Sequence, residues 1–224
     1  MPLCGGSKTV QRKLVLLGDG ASGKTSLLNV FTRGYFPTVY EPTVFENYVH
    51  DIFIDNTHIE LSLWDTAGQE EFDRLRSLSY DDTHAIMLCF SVDSRDSLEN
   101  VESKWVGEIL ENCPGVELVL VALKCDLRPS PGEEGEAGAE GEGGEAKTML
   151  TYQQGLEVAK RIQALRYLGM SGWIIFFKFG VGMLQAEAND AYRMLSNEKP
   201  RRERGVYGGC TRGAEGAAEE GERG

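Results

Sequence analysis

A glycine-rich segment near the amino terminus has the residue types and the spacing of a phosphate-binding loop. The pattern G-x-x-x-x-G-K-[ST] is met by Gly18, Gly23, Lys24 and Thr25. Glycines let the backbone curl so that several N–H groups face phosphate oxygens, and a following helix adds partial positive charge. The Lys24 ammonium would neutralise phosphates, and the Thr25 hydroxyl would ligate Mg²⁺. The segment therefore predicts a site for nucleotide phosphates.

The elements on either side of this segment fit that role. Residues 14–17 form an apolar run of the kind that makes a strand, and a helical pattern of apolar residues begins after Lys24. Strand, loop and helix is the order that a phosphate loop requires. A chance match in a glycine-containing turn, the alternative, would need neither flanking element.

A second motif follows a pair of predicted strands over residues 44–54 and 57–64, which Asp55-Asn56 would join as a hairpin. The second strand alternates apolar and polar residues and ends in D-T-A-G-Q-E, beginning at Asp65. A carboxylate at the end of an apolar strand can face Mg²⁺ through a water. From these residues alone, a turn without a ligand is the alternative.

The rest of the chain predicts a mostly parallel α/β sheet. Residues 84–92 and 116–123 read as buried strands, and residues 97–110 read as a helix between them. One face of that helix carries Leu98, Val101, Trp105 and Ile109. The second strand leads into K-C-D at residues 124–126. Right-handed crossovers would place the loops at the carboxyl ends of the strands, where ligands bind.

Composition adds limits to the possible functions. The 224 residues suit one globular domain with an extra segment, and the net charge of −12 argues against non-specific binding of nucleic acid. Residues 132–145 contain only Gly, Glu and Ala, with six glutamates. We expect a disordered acidic insert over residues 129–147, with an acidic docking site as the alternative. The five cysteines show no C-x-x-C spacing, which favours a reduced, intracellular chain.

Taken together, the phosphate loop, D-T-A-G-Q and K-C-D resemble a small GTPase. The sequences P-T-V-F-E-N-Y at residues 42–48 and W-D-T-A-G-Q-E at residues 64–70 narrow the resemblance to the Rho family. The run from Val10 to Leu168 is similar to the third Rho subgroup of fungi. This resemblance implies a P-loop NTPase fold over residues 11–168, with a six-stranded, mostly parallel sheet flanked by helices, after a flexible amino terminus at residues 1–10.

The resemblance also implies a function and assigns roles by position. The chain would bind GTP or GDP with Mg²⁺ and hydrolyse GTP, signalling in cell polarity, actin organisation and exocytosis. Gln69 would orient the attacking water, and the other catalytic positions are Lys24, Thr43 and Gly68. Thr25, Thr43 and Asp65 would hold Mg²⁺. The nucleotide-binding set is Gly18, Asp19, Gly20, Ala21, Ser22, Gly23, Lys24, Thr25, Ser26, Phe36, Tyr40, Thr43, Asp65, Ala67, Gly68, Lys124 and Asp126.

For several of these residues the resemblance implies a particular contact with the nucleotide. Any side chain at Gly20 would crowd the γ-phosphate, whereas Phe36 would pack on the guanine ring. Lys124 would cover the base, and Asp126 would read its N1 and N2 donors. Intrinsic hydrolysis would be slow, and an arginine from an activating partner could accelerate it by about 10³–10⁵.

The implied partners are proteins and a membrane surface. A monomeric switch would contact effectors through switch I, residues 40–48, and through switch II, and it would need an exchange factor and a GTPase-activating protein. The family is cytoplasmic with peripheral association at the plasma membrane. Here Cys4 is a candidate for palmitoylation, which alone gives marginal binding, and Cys210 lies too far from the carboxyl end for a prenylation box.

The chain departs from the family pattern at two places. Leu123 stands where the guanine motif has Asn or Thr, so we expect lower base affinity while Asp126 keeps the main discrimination. After Leu168 the expected E-C-S-A, terminal helix and prenylation signal are missing. Codons for residues 169–193 can carry splice signals, and residues 193–214 back-translate in a second frame to E-C-S-A-M-R-S-R. We therefore interpret residues 169–224 as a translated intron followed by frame-shifted exon.

Three alternatives remain open. A divergent carboxyl-terminal region could be genuine, with an apolar, membrane-contacting run at residues 173–184. A P-loop kinase or ATPase is the rival enzyme class. A defective guanine-nucleotide binder, or an artefact of the gene model that lacks the terminal helix, is the non-enzymatic rival.

Overall fold

The computed structural model describes residues 9–39, 42–54, 57–128 and 149–171. The predictions for Cys4, Tyr40, the Asp55-Asn56 turn, the acidic insert, Cys210 and the tail from residue 172 onward lie outside the described residues.

The described strands form one six-stranded sheet in the order β2-β3-β1-β4-β5-β6. All neighbouring strands run parallel except β2 and β3, which are antiparallel. This confirms the predicted fold class. The strands are β1 (Thr9–Leu17), β2 (Phe45–Ile54), β3 (Thr57–Thr66), β4 (Ala85–Ser91), β5 (Glu117–Leu123) and β6 (Arg166–Gly169).

Strand boundaries differ from the sequence predictions mainly at the ends. β1 begins at Thr9, so it overlaps the stretch that we expected to be flexible, residues 1–10. β6 continues to Gly169, and the Met170 N–H still donates to the Ala122 carbonyl at 2.7 Å. The alternation predicted for β3 is confirmed, since its buried apolar side chains are Ile59, Leu61 and Leu63.

Helices connect the strands and cover the sheet. They are α1 (Lys24–Arg33), α2 (Asp73–Ser77), α3 (Arg95–Asn100), α4 (Val106–Asn112) and α5 (Tyr152–Arg161). The helix predicted over residues 97–110 is interrupted by a π-helical turn, Val101–Trp105, which joins α3 to α4. Its predicted apolar face is buried nonetheless, with Trp105 and Val101 fully inaccessible.

Two apolar clusters stabilise this arrangement, and the buried apolar side chains of the sheet are divided between them. One cluster includes Val15, Phe90 and Trp105, and the other includes Leu16, Leu28 and Leu123. Adjacent residues of β1 therefore enter different clusters, as alternation along a central strand requires. Because β1, β3, β4, β5 and β6 run parallel, the loops that carry the sequence motifs meet at one edge. Within the described part of the chain, no helix is long and apolar enough to cross a bilayer.

Candidate nucleotide-binding site

The phosphate loop follows β1 and turns sharply into α1. Gly18 has φ = +132° and Gly23 has φ = +105°, conformations that residues with a side chain rarely adopt. A β-carbon on Gly18 would lie 2.0 Å from the carbonyl oxygen of Cys89, in the neighbouring strand β4. Ala21 also has a left-handed φ, of 58°. The glycine positions of the motif are therefore required by backbone conformation and, at Gly18, by close packing.

Lys24 lies inside the curl of this loop with only 5% of its surface exposed. Its Nζ donates to the carbonyl oxygens of Gly18 and Asp19, each at 2.8 Å, and lies 3.5 Å from Ser22 Oγ. Burial lowers the pKa of the Lys24 ammonium, and nearby acidic groups oppose that shift. The loop thus holds the Lys24 amino group at its centre, where a phosphate would approach.

The predicted metal ligands come together where the first turn of α1 and the segment before β2 meet the carboxyl end of β3. The hydroxyl oxygens of Thr25 and Thr43 lie 2.5 Å apart. Asp65 is fully buried, and neither of its carboxylate oxygens has a hydrogen bond of ordinary geometry. Burial raises the pKa of Asp65 from 3.8 to about 6, although the neighbouring Thr25 hydroxyl and the Lys24 charge act in the opposite direction. A buried carboxylate that lacks a hydrogen bond of ordinary geometry, beside two hydroxyls, fits a hard divalent cation such as Mg²⁺.

The D-T-A-G-Q loop packs directly on the phosphate loop. A β-carbon on Gly68 would lie 2.2 Å from the Gly20 nitrogen and 2.5 Å from the Gly18 carbonyl oxygen. A β-carbon on Gly20 would lie 3.8 Å from Cγ of Gln69. Ala67 is buried. The structure therefore brings Gly20, Gly68 and Gln69 together.

The residues expected to contact a base lie at the end of β5 and beyond α1. Lys124 has a left-handed φ of 59°, and its Nζ is 3.5 Å from Asp93 Oδ1. Asp126 follows in a short 3₁₀ turn with its side chain exposed. Phe36 is 43% exposed, so its ring is accessible to a ligand. Ser26 lies in the first turn of α1, and Tyr40 lies outside the described residues.

The segment after β6 also lies against the K-C-D turn, a contact that the sequence analysis did not anticipate. The Cys125 N–H donates to the Met170 carbonyl at 3.1 Å, so Met170 lies against the K-C-D turn. Ser171 follows and is fully buried, with a hydroxyl that has no partner. The E-C-S-A motif is absent, but Ser171 stands three residues after Leu168, where that motif would have its serine. Counting positions from Leu168, rather than matching all four letters of the motif, would have identified Ser171.

Sequence reasoning also missed the side chains that hold Asp19. Nδ2 of Asn100 donates to Asp19 Oδ2, and Nε1 of Trp105 donates to Asp19 Oδ1, each at 2.7 Å. Trp105 was identified only as part of an apolar face. Its indole N–H was the available signal, because a buried tryptophan usually needs an acceptor.

A phosphate loop after β1, a buried carboxylate at the end of β3 and K-C-D after β5 share one edge of the sheet. Together with the order of the strands, these features define a nucleotide-binding domain of the phosphate-loop class.

Comparison with known proteins gives the family. The model of the Ras family matches residues 13–173. The chain is 66% identical over 184 residues to the GTP-binding protein RHO3 of Eremothecium gossypii, covering 76% of this chain and 82% of that protein. It is 61% identical over 189 residues to RHO3 of Saccharomyces cerevisiae, covering 75% and 82%. It is 64% identical over 173 residues to rho3 of Schizosaccharomyces pombe, covering 76% and 80%.

The chain therefore belongs to the Ras family and, within it, to the Rho-type small GTPases. The resemblance stated from the sequence motifs is confirmed. As a small GTPase, the protein is a guanine-nucleotide switch that hydrolyses GTP to GDP and phosphate.

Proposed function

We propose that this chain is a Rho3-like switch in which GTP with Mg²⁺ orders the two loops around Thr43 and Gly68, and hydrolysis releases them. The observation that carries the proposal is Asp65, a buried carboxylate without a hydrogen bond of ordinary geometry, beside the paired hydroxyls of Thr25 and Thr43. Mg²⁺ held there would neutralise charge on the β- and γ-phosphates.

The chain's own residues would do the rest of the chemistry by positioning. Lys24, whose Nζ is held at the centre of the loop by two carbonyls, would bind phosphate oxygens. The Gly68 N–H would bind the γ-phosphate, which its contact with the phosphate loop supports. Gln69 lies beside Gly20 and would orient the attacking water. Preorganised groups of this kind are worth more than flexible ones in a site that excludes water.

Base recognition would rest on Asp126 and Lys124, with Phe36 packed on the ring. The contact between Met170 and Cys125 supports a further segment lining this pocket, in which Ser171 lies beside the K-C-D turn. The rival kinase or ATPase would not require an aspartate at this position.

Nucleotide competition tests the base assignment. Purified protein loaded with a fluorescent GDP should release it when excess GTP is added and should retain it in excess ATP. Asp126→Asn should remove that discrimination, whereas Asp96→Asn, an exposed aspartate in α3, should not. Displacement by ATP and GTP alike in the unmodified protein would exclude guanine recognition.

Turnover separates the switch from a binder that cannot hydrolyse. Loaded with GTP and Mg²⁺, the protein should form GDP and phosphate in a single turnover, and an activating protein of a Rho relative should accelerate it. Tight GTP binding without phosphate release would support the defective binder instead.

We also propose the cellular context that the family implies: signalling to effectors in polarity, actin organisation and exocytosis. Val44 is 50% exposed and begins the approach to the edge strand β2, which leaves this part of switch I open to an effector. The protein would be cytoplasmic with weak peripheral membrane association through Cys4. Fractionation of cells that express the Cys4→Ser variant tests this, since unchanged sedimentation with membranes would exclude a role for Cys4.

A further inference from the structure

Arg76 is a buried arginine beside the catalytic loop, with only 1% of its side chain exposed. Every N–H group of its guanidinium faces an acceptor. Nε and Nη2 donate to the two carboxylate oxygens of Glu108, at 2.6 and 2.9 Å, and Nη2 also donates to Asp73 Oδ1 at 2.5 Å. Nη1 lies 2.9 Å from the Ala67 carbonyl and 3.5 Å from the Gln69 carbonyl. Arg76 therefore binds the backbone on both sides of Gly68.

The same guanidinium is linked to the phosphate loop through Trp105. Its central carbon lies 4.8 Å from the centroid of the Trp105 ring, within the range of a cation–π contact. The indole N–H of Trp105 donates to Asp19, as described above. A continuous set of packed and hydrogen-bonded groups therefore joins the D-T-A-G-Q loop to the phosphate loop on the side away from solvent.

The groups around Arg76 stabilise the positive charge of its guanidinium. Burial alone would lower the pKa of Arg76, but the hydrogen bonds and the charge of Glu108 outweigh it and raise the pKa. The Tyr80 hydroxyl donates to Glu108 at 2.5 Å and fixes that carboxylate in turn. An arginine that served only to stabilise α2 would have no need of the carbonyls of Ala67 and Gln69, because both precede the helix.

We infer that Arg76 is a positioning residue for GTP hydrolysis: it holds the backbone around Gly68 against the phosphate loop and so aims the side chain of Gln69. The inference rests on the proposed role of Gln69 in orienting water. Lysine cannot replace the arginine in this role, because an ammonium has three donors and no planar fork.

Single-turnover hydrolysis of GTP tests the inference in five proteins: the unmodified chain, Arg76→Lys, Arg74→Lys, Gln69→Leu and the double variant of Gln69 and Arg76. Arg74 is the matched control, because it lies in the same short helix and is exposed. We expect Arg76→Lys to slow hydrolysis by about 10- to 100-fold, the cost of a small misplacement of a catalytic group. Arg74→Lys should leave the rate unchanged.

Two readouts distinguish positioning from a general loss of structure. The rate of GDP release from Arg76→Lys should stay within about threefold of the unmodified value, since Arg76 does not line the nucleotide pocket. In the Gln69→Leu background, Arg76→Lys should have no further effect on hydrolysis, because the group that it positions is already gone. An equal loss in both backgrounds would overturn the inference and leave a structural role.

A second variant keeps the test decisive if Arg76→Lys does not fold. Glu108→Gln preserves the volume of the side chain but removes one acceptor and the charge that hold the guanidinium. It should slow hydrolysis in the same direction, again only when Gln69 is present. If the unmodified chain binds GTP but does not hydrolyse it, the proposed catalytic function fails with the inference. If it hydrolyses GTP and the arginine and glutamate variants match the control, the inference alone is wrong.

Discussion

The side chain of Leu123 packs over Gly23 of the phosphate loop, so that a β-carbon at position 23 would lie 3.6 Å from the Leu123 Cδ1. Leu123 is 4% exposed and belongs to the apolar cluster that contains Leu28 and Val121. The position where the resemblance led us to expect Asn or Thr is thus filled by a side chain that supports the loop through packing. It offers no hydrogen bond to either the loop or a base.

Replacing Leu123 by threonine should separate the stability of the protein from its nucleotide affinity. The change removes buried apolar volume and introduces a hydroxyl, so we expect the nucleotide-free protein to lose about 2–4 kcal/mol of unfolding free energy. The release of fluorescent GDP should become slower, because the hydroxyl can bond within the loaded site. Urea unfolding without nucleotide and stopped-flow release measure the two effects.

Val121→Thr is the matched control for this pair of measurements. Val121 is fully buried, lies two residues earlier in β5 and belongs to the same cluster. It should lose stability through the buried hydroxyl while GDP release stays unchanged. Faster GDP release from Leu123→Thr would show that leucine supports binding better than a polar residue can.

Asp65 should make the nucleotide-free protein less stable as the pH rises. Its folded pKa of about 6 exceeds the ordinary value of 3.8, so the folded state holds the proton more tightly than the unfolded state. The unfolding free energy should therefore fall between about pH 4 and pH 6 and stay low above that range. Asp65→Asn should be more stable than the unmodified chain by roughly 2–3 kcal/mol at neutral pH, a difference that disappears near pH 4.

Urea unfolding in the presence of a chelator, at several pH values, measures this difference. Asp82→Asn, at an exposed aspartate, is the control for replacing a carboxylate by an amide. Adding Mg²⁺ with GDP should reverse the order, because a carboxylate holds a divalent cation more tightly than a neutral amide does. A constant advantage of Asp65→Asn at every pH would mean that its charge carries no penalty.

The motifs were predictable because each is encoded by neighbouring residues. Gly18, Lys24 and Thr25 lie within one loop and helix turn, and the β3 pattern ends at Asp65, so local spacing was enough. The bonds from Trp105 to Asp19 and from Arg76 to Glu108 join residues 86 and 32 positions apart, respectively. No periodicity in the chain predicts such pairs. They form only after the sheet has folded and placed α2 and the π turn next to the phosphate loop.

The interruption of the helix predicted over residues 97–110 has the same kind of cause. Its apolar residues fall on one face and predicted burial correctly. Helical periodicity, however, cannot distinguish an α-helix from one that widens by a residue, so the π turn at Val101–Trp105 was not foreseen. That turn ends at Trp105, which bonds to Asp19, a position typical of π-helical turns at functional sites.

Two glycines with left-handed backbones should respond differently to alanine. Gly18→Ala would combine a strained φ with a β-carbon 2.0 Å from a carbonyl oxygen of β4, so we expect a loss of more than about 4 kcal/mol or no folded protein. Gly34 has φ = +63° at the end of α1 and nothing within 4 Å of its β-carbon. Gly34→Ala should cost only about 1 kcal/mol. Comparable stabilities in urea would show that β1 and β4 can separate to admit a methyl group.

Gly68→Ala should damage hydrolysis while sparing the binding of GDP. An alanine β-carbon would overlap the Gly20 nitrogen at 2.2 Å, so the D-T-A-G-Q loop must move away from the phosphate loop and take Gln69 with it. We expect single-turnover hydrolysis to fall by about 10²-fold. GDP release should change little, because the phosphate loop and Asp126 remain in place.

Gly107→Ala is the control. Gly107 lies in α4 with nothing within 4 Å of its β-carbon, so the change should stabilise the helix by up to about 1 kcal/mol without affecting hydrolysis. Undiminished hydrolysis by Gly68→Ala would mean that the close contact between the two loops is not needed for catalysis.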